Sequence, residues 1–257
     1  MPNAVVDACF IGIDLAWRSD RNASGLAALR GDGRGAELVA IDAVHSRDRV
    51  LEFVGVNDAP TCIVAIDAPL IIRNSSGQRP CETLVGVRYG GRHASCHTSN
   101  LALYPDAASA RLADDLALRG FVHAPSASAA DRRLMIEVYP HAALVALFDL
   151  PTVIKYKKGS VAEKRAGLRH LRDRIAQLSS WQPALRSNAK LDQLLGVRLE
   201  SLAGSSLKQY EDTLDAVVCA YLALYFWAWR LDRNEVFGDA DNGYILNPVL
   251  RPSILTH

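Results

Sequence analysis

The sequence predicts an α/β domain built on a mixed sheet, and three observations carry that reading. Three short apolar runs, Ala8 to Ala16, Ser24 to Arg30 and Ala36 to Asp42, are separated by polar and glycine-containing segments, with Gly31 to Gly35 the clearest turn; this is the pattern of a three-strand antiparallel meander. A helical stretch from about Arg47 to Val56 then leads into Thr61 to Ile66, a continuous β-rich run of the kind found in a strand covered on both faces. A helix joining two strands marks a parallel crossover. The rest of the chain is mainly helical, which places the helices on the faces of that sheet.

The remaining elements follow in order. From Leu70 to Ala130 the pattern loosens around Gly77, Gly86, Gly90 and Gly91, with a helix expected near Asp106 to Arg119 and a Pro/Ser/Ala stretch after it. We read about 70–130 as a helical and loop insertion after the fourth strand, inside a single domain spanning 1–257. Arg133 to Tyr139 reads as a strand stopped by Pro140. Helices are expected at about His141 to Phe148, Ser160 to Leu178, Leu191 to Leu202 and Tyr210 to Asp232, and Gly243 to Pro248 reads as a closing strand. No internal repeat of about 20 to 50 residues is visible.

Composition narrows the class. The 257 residues are 49% hydrophobic, with 29 Lys+Arg against 28 Asp+Glu and ordinary Gly and Pro usage, so a disordered or fibrous chain is excluded. A chain basic all over is excluded as well, although a local positive stripe is not. Met1 to Asp7 carries no basic region followed by an apolar run, and a cytoplasmic protein is expected. The longest uncharged apolar stretch, Ala216 to Trp229, would rise about 21 Å as a helix, short of a bilayer core of about 30 Å; a buried helix and no membrane span are expected. Five cysteines without close pairing argue against a disulfide framework.

The informative residues are acids in apolar surroundings. Asp14 lies inside IGIDLAW, Asp67 ends IVAIDAP, Glu137 lies within MIEVYP, and Asp212 and Asp215 open the most apolar helix. A carboxylate at the end of a buried strand needs a cation, a donor or solvent. Asp212 and Asp215 share one helical face about 5 to 6 Å apart, where like charges repel unless something positive lies between them. If that helix packs on the first and fourth strands, Asp14, Asp67, Asp212 and Asp215 converge into a site for Mg²⁺ or Mn²⁺, which favour hard oxygen ligands. Each acid also has a plain structural reading: Asp212 as a helix cap or first-turn acid, Asp67 as a turn former, Glu137 as the partner of an arginine such as Arg133.

In order along the chain, IGIDLAW, AIDAPL, RPCE with GVRYGGRH, EVYP, the lysine pair of KYKKGS, EDTLDAVVCAYLA and GYILNP resemble the ribonuclease H-like superfamily. Within it they resemble the domain-of-unknown-function family 429, described as predicted nucleases and similar to the Holliday-junction resolvases in the Asp-x-x-Asp-Ala helix. The resemblance implies a five-stranded mixed sheet flanked by helices. It implies catalytic roles for Asp14, Asp67, Asp212 and Asp215, with Glu137 and Lys158 as the family's own additions. The chain departs from the family pattern at Tyr139, where histidine is frequent, and at His141, where an acid is frequent.

The expected activity is hydrolysis of phosphodiester bonds by a two-metal mechanism, with Asp14 bridging and Asp67, Asp212 and Asp215 completing the shells. Nucleic acid is the expected partner, through Lys155 to Arg174, which holds eight Lys/Arg against two Asp/Glu; a solvated helix face is the plain alternative. Arg79, Arg88 and Arg92 offer a second phosphate contact. His93, Cys96 and His97, with Cys81 nearby, can be drawn as a zinc site, although their spacing matches no known ligand pattern. Tyr221, Tyr225, Phe226, Trp227 and Trp229 read as core or as a homodimer surface. The competing classes are an actin- or sugar-kinase-like phosphotransferase, which would show a repeated lobe and a Gly-rich phosphate loop, and a non-catalytic module that keeps the fold.

Overall fold

The computed structural model describes residues 7–16, 22–128 and 130–250; expectations resting on Met1 to Val6 and on Trp17 lie outside the described residues. Strands β1 (Ala8–Asp14), β2 (Ser24–Asp32) and β3 (Gly35–Val44) form the antiparallel meander. Helix α1 (Arg47–Val56), opened by the Ser46 hydroxyl accepting from the Arg49 N–H, crosses to β4 (Thr61–Ile66), which lies parallel to β1. The next segment carries α2 (Pro80–Tyr89), α3 (Ala108–Leu118) and β5 (Val122–His123) before β6 (Arg133–Glu137), which is parallel to β4. Helices α4 (Pro140–Phe148) and α5 (Val161–Gln177), strand β7 (Ala184–Arg186), α6 (Ala189–Leu195), α7 (Gly204–Trp229) and strands β8 (Asn234–Asp239) and β9 (Gly243–Pro248) complete the order.

The main sheet has seven strands, not five, in the order β5-β6-β4-β1-β2-β3-β7. Its two unexpected edges have two and three residues, too short to leave a legible alternation. Gly243–Pro248 does not close this sheet; it pairs with β8 in a separate two-stranded sheet. The segment read as an insertion supplies β5 and places α2 and α3 on opposite faces: Cys81, Val85 and Tyr89 enter one core, Leu112, Ala113 and Leu116 the other.

The two cores explain why the central strands are apolar throughout. Ala8 and Phe10 of β1 face the core under α4, α5 and α7, while Cys9, Ile11 and Ile13 face the core under α1 and α3; β4 divides the same way. Helix α7 begins at Gly204, more than one turn before the expected Tyr210. Its N-cap residue is Ala203, whose N–H donates to the Ser206 hydroxyl, so the usual cap signal is missing from the sequence. Its length and composition match a membrane-crossing helix, yet most of it is buried inside the protein. Tyr221, Tyr225 and Phe226 are core, whereas Trp227 and Trp229 are half-buried under Arg230 and Arg233.

Two glycines seat α7 on the sheet. A Cβ on Gly12 of β1 would lie 2.0 Å from the Ala216 carbonyl oxygen, and one on Gly25 of β2 would lie 2.2 Å from that of Asp212. Only a residue without a side chain permits so close an approach. The contact fixes which turn of α7 faces the ends of β1 and β2.

Candidate functional site

Strands β1 and β4 are parallel neighbours, so they finish at the same edge of the sheet. Asp14 is the last residue of β1, and the residue after β4, Asp67, donates its N–H to the Ile13 carbonyl at 2.9 Å. Both acids are half-buried on the wall of a cavity of ≈ 350 Å³, and neither side chain has a hydrogen-bond donor among the described residues. Burial pushes the Asp14 carboxyl well above the usual range; Lys157 opposes the shift, while Asp215, Asp67 and Asp212 add to it. Burial likewise raises Asp67 to about 7, against Lys157 and with help from Asp215 and Glu137.

The glycine seats bring Asp212 and Asp215 toward these strand ends. Asp212 lies well inside α7, which excludes its role as a cap, and it is bound by Lys208 one turn earlier; Lys208 Nζ also sits 3.1 Å from Glu211 Oε1. Asp215 is fully buried. Its Oδ1 accepts from the Tyr156 hydroxyl at 2.7 Å, and Lys157 Nζ lies 2.8 Å from Oδ2 as a charge contact without an aligned hydrogen bond. Burial works against the Lys157 charge, but Asp215 and Asp14 outweigh it and hold its pKa well above the ordinary lysine value.

Glu137 is committed elsewhere. Its two oxygens accept from Arg79 at 2.5 and 3.0 Å, and Oε2 also accepts the Leu70 N–H at 2.8 Å. The expected partner, Arg133, binds Asp58 instead. Arg79 also pairs with Glu82 at 2.8 Å; burial opposes its charge, and the carboxylates outweigh that opposition. The expected phosphate contacts therefore dissolve in part, since Arg79 is buried and Arg92 pairs with Asp149.

Lys158 does not line this cavity. It is exposed beside Lys155, His170 and Arg174 in a neighbouring cleft. The basic stretch thus divides by position. Lys157 joins the carboxylates; Arg165 and Arg172 donate to the carbonyls of Leu202 and Val197, and Arg169 pairs with Glu200, so they clamp a loop. Lys155 and Lys158 make no ion pair among the described residues.

Among the described residues no group of three or more His, Cys, Asp and Glu side chains is set to hold a metal. The zinc drawing is not assembled: Cys81 is packed in the core, Cys96 and His97 line the cavity, and His93 is not on its wall. For Mg²⁺ or Mn²⁺ the donors are of the right hard-oxygen type. Of these four acids, Asp14 and Asp67 have no side-chain hydrogen bond or ion pair among the described residues, whereas Lys208 and Lys157 engage Asp212 and Asp215.

Sequence reasoning missed Lys208 and Tyr156, took Lys157 only as part of a basic stretch, and gave Arg79 to a phosphate where it holds Glu137. A signal existed for Lys208, which stands three and four residues before Glu211 and Asp212. Nothing local separates Lys157 from Lys158.

A family model described as "Protein of unknown function (DUF429)" matches residues 12–241. No curated protein matches the chain, and no solved structure does.

Proposed function

From the premise that the chain belongs to the DUF429 family, whose function is unknown, we propose that it is a divalent-cation-dependent hydrolase of phosphodiester bonds, a nuclease of the ribonuclease H-like type. One observation carries the reading: Asp14 and Asp67 stand side by side at the ends of parallel strands, on a cavity wall, without donors among the described residues and with their carboxyls pushed up by burial. Two such groups ionise together only if a cation compensates them. The strand order β3-β2-β1-β4-β6 inside the larger sheet, with β2 antiparallel to its neighbours, agrees with the resemblance and supports it.

Asp14 and Asp67 would hold Mg²⁺ or Mn²⁺, which when bound supplies Lewis-acid polarisation of a phosphoryl oxygen. With Asp212 and Asp215 already neutralised, the donors suit one cation better than the two-metal arrangement expected from the sequence. Asp215 and Tyr156 orient Lys157, whose ammonium lies on the cavity wall and offers a fixed positive charge to a phosphate oxygen. Lys208 holds Asp212 in the same way.

The test is a panel of single-stranded, duplex, hybrid and branched nucleic acids incubated with Mn²⁺ or Mg²⁺. Cleavage by the wild type that falls at least about 100-fold in Asp14→Asn and Asp67→Asn is the expected result. All substrates left intact at high protein concentration would overturn the proposal.

A further inference from the structure

His141 is the second residue of α4, four residues past the end of β6, and it forms part of the cavity wall shared by Asp14 and Asp67. Its ring is packed between Tyr139, 5.6 Å away edge-on, and Tyr156, 5.3 Å away and tilted by 37°. Both hydroxyls are engaged elsewhere: Tyr139 donates to the Ser95 carbonyl at 2.9 Å and Tyr156 to Asp215. Nothing among the described residues hydrogen-bonds to the ring, and Nδ1 is sealed from solvent.

A neutral imidazole carries one proton, and the packing decides where. A buried N–H without an acceptor is rarer and costlier than an acceptor with an empty lone pair. The proton therefore belongs on Nε2 and the bare lone pair on Nδ1. The imidazolium form would bury an unpaired Nδ1–H. Burial, the largest influence, pushes the histidine down to about 4; Lys157, His97 and Lys158 act in the same direction, and Asp215 opposes them. The position of His141 in the first turn of α4 disfavours positive charge too.

We infer that His141 is a fixed, neutral hydrogen-bond donor, presenting Nε2–H from the cavity wall to an oxygen of a bound phosphoryl group. The inference rests on the proposed phosphodiester chemistry for its ligand, and on the packing alone for its tautomer. No bond to the histidine forms or breaks: the donor stays protonated and stabilises charge spread over the phosphoryl oxygens.

Nitrogen-15 correlation spectra of the full chain test both parts, with His141→Ala identifying the resonances and His141→Gln as a milder variant that keeps a donor. The expected pattern is the Nε2–H tautomer, unchanged between about pH 5.5 and about pH 8. The Nε2 proton should move when inorganic phosphate is added with Mg²⁺. An Nδ1–H tautomer, a titration midpoint inside that range, or a resonance unmoved by saturating phosphate would overturn the inference. If the protein cleaves no nucleic acid, the proposed function falls while these spectra still decide the role of His141. If it does cleave, His141→Ala should lower kcat about 10- to 100-fold with little change in KM, and His141→Gln should recover part of the loss; equal losses in the two variants would also count against the donor.

Discussion

Arg79 grips both oxygens of Glu137 across 58 residues of chain, at 2.5 and 3.0 Å, with both side chains almost wholly buried. The pair ties the start of α2 to the end of β6, and both residues line the cavity. Glu82 shares the same guanidinium and accepts the Ser99 N–H as well, so a single arginine neutralises two buried acids. Removing one partner of such a group leaves uncompensated charge behind. Arg79→Met is expected to lower stability by about 3 to 5 kcal/mol in urea denaturation; a loss under about 1 kcal/mol would show that the acids find other compensation.

The seating of α7 predicts a sharp steric penalty. Gly12→Ala forces a methyl into the backbone of Ala216 and Ala220, and a loss of about 1 to 3 kcal/mol is expected from overpacking. Gly33→Ala, in a turn with no neighbour within 4 Å, should stay within about 0.5 kcal/mol. Indistinguishable melting of the two variants would contradict the close approach of helix and sheet.

Asp67 makes the fold less stable as pH rises. Its carboxyl is raised from 3.8 to about 7, so the folded chain binds that proton more tightly than the unfolded chain does. The penalty is absent below about pH 4, grows between about pH 4 and about pH 7, and is complete above. In metal-free buffer Asp67→Asn should therefore melt about 2 to 4 °C higher than wild type at about pH 8, and show no such gain at about pH 4. A gain independent of pH would mean that the aspartate does not titrate as described.

Metal affinity should follow Asp14 and Asp67. In calorimetry Mn²⁺ is expected to bind wild type and Lys158→Ala alike, and at least about tenfold more weakly to Asp14→Asn or Asp67→Asn. Binding should strengthen between about pH 6 and about pH 8, because ligands must lose their protons first. Equal heats for wild type and Asp14→Asn would remove the site.

The cleft beside the cavity separates binding from clamping. Replacing Lys155 and Lys158 together by alanine should reduce the salt dependence of nucleic-acid binding by about 2 in slope, one for each phosphate contact. Arg165→Ala should leave that slope unchanged and lower stability through the freed Glu200 and Leu202 carbonyls. An unchanged slope in the lysine variant would assign the basic face to solvent.

By itself the sequence determined the meander, the crossover to β4, the long apolar helix, and acids placed at strand ends where an apolar run alone would not put them. These are properties of neighbouring residues: alternation, period and turn chemistry act within a few positions. Tertiary structure decided which cation meets which acid. Lys157 and Lys158 are adjacent and chemically identical, and only the burial of Tyr156 beside Asp215 directs the first into the site and the second into the cleft. The choice of Arg79 over Arg133 for Glu137, the two short edge strands, and the start of α7 at Gly204 were equally invisible. Each depends on a pairing across many residues, and no local pattern encodes which distant group the folded chain will bring within reach.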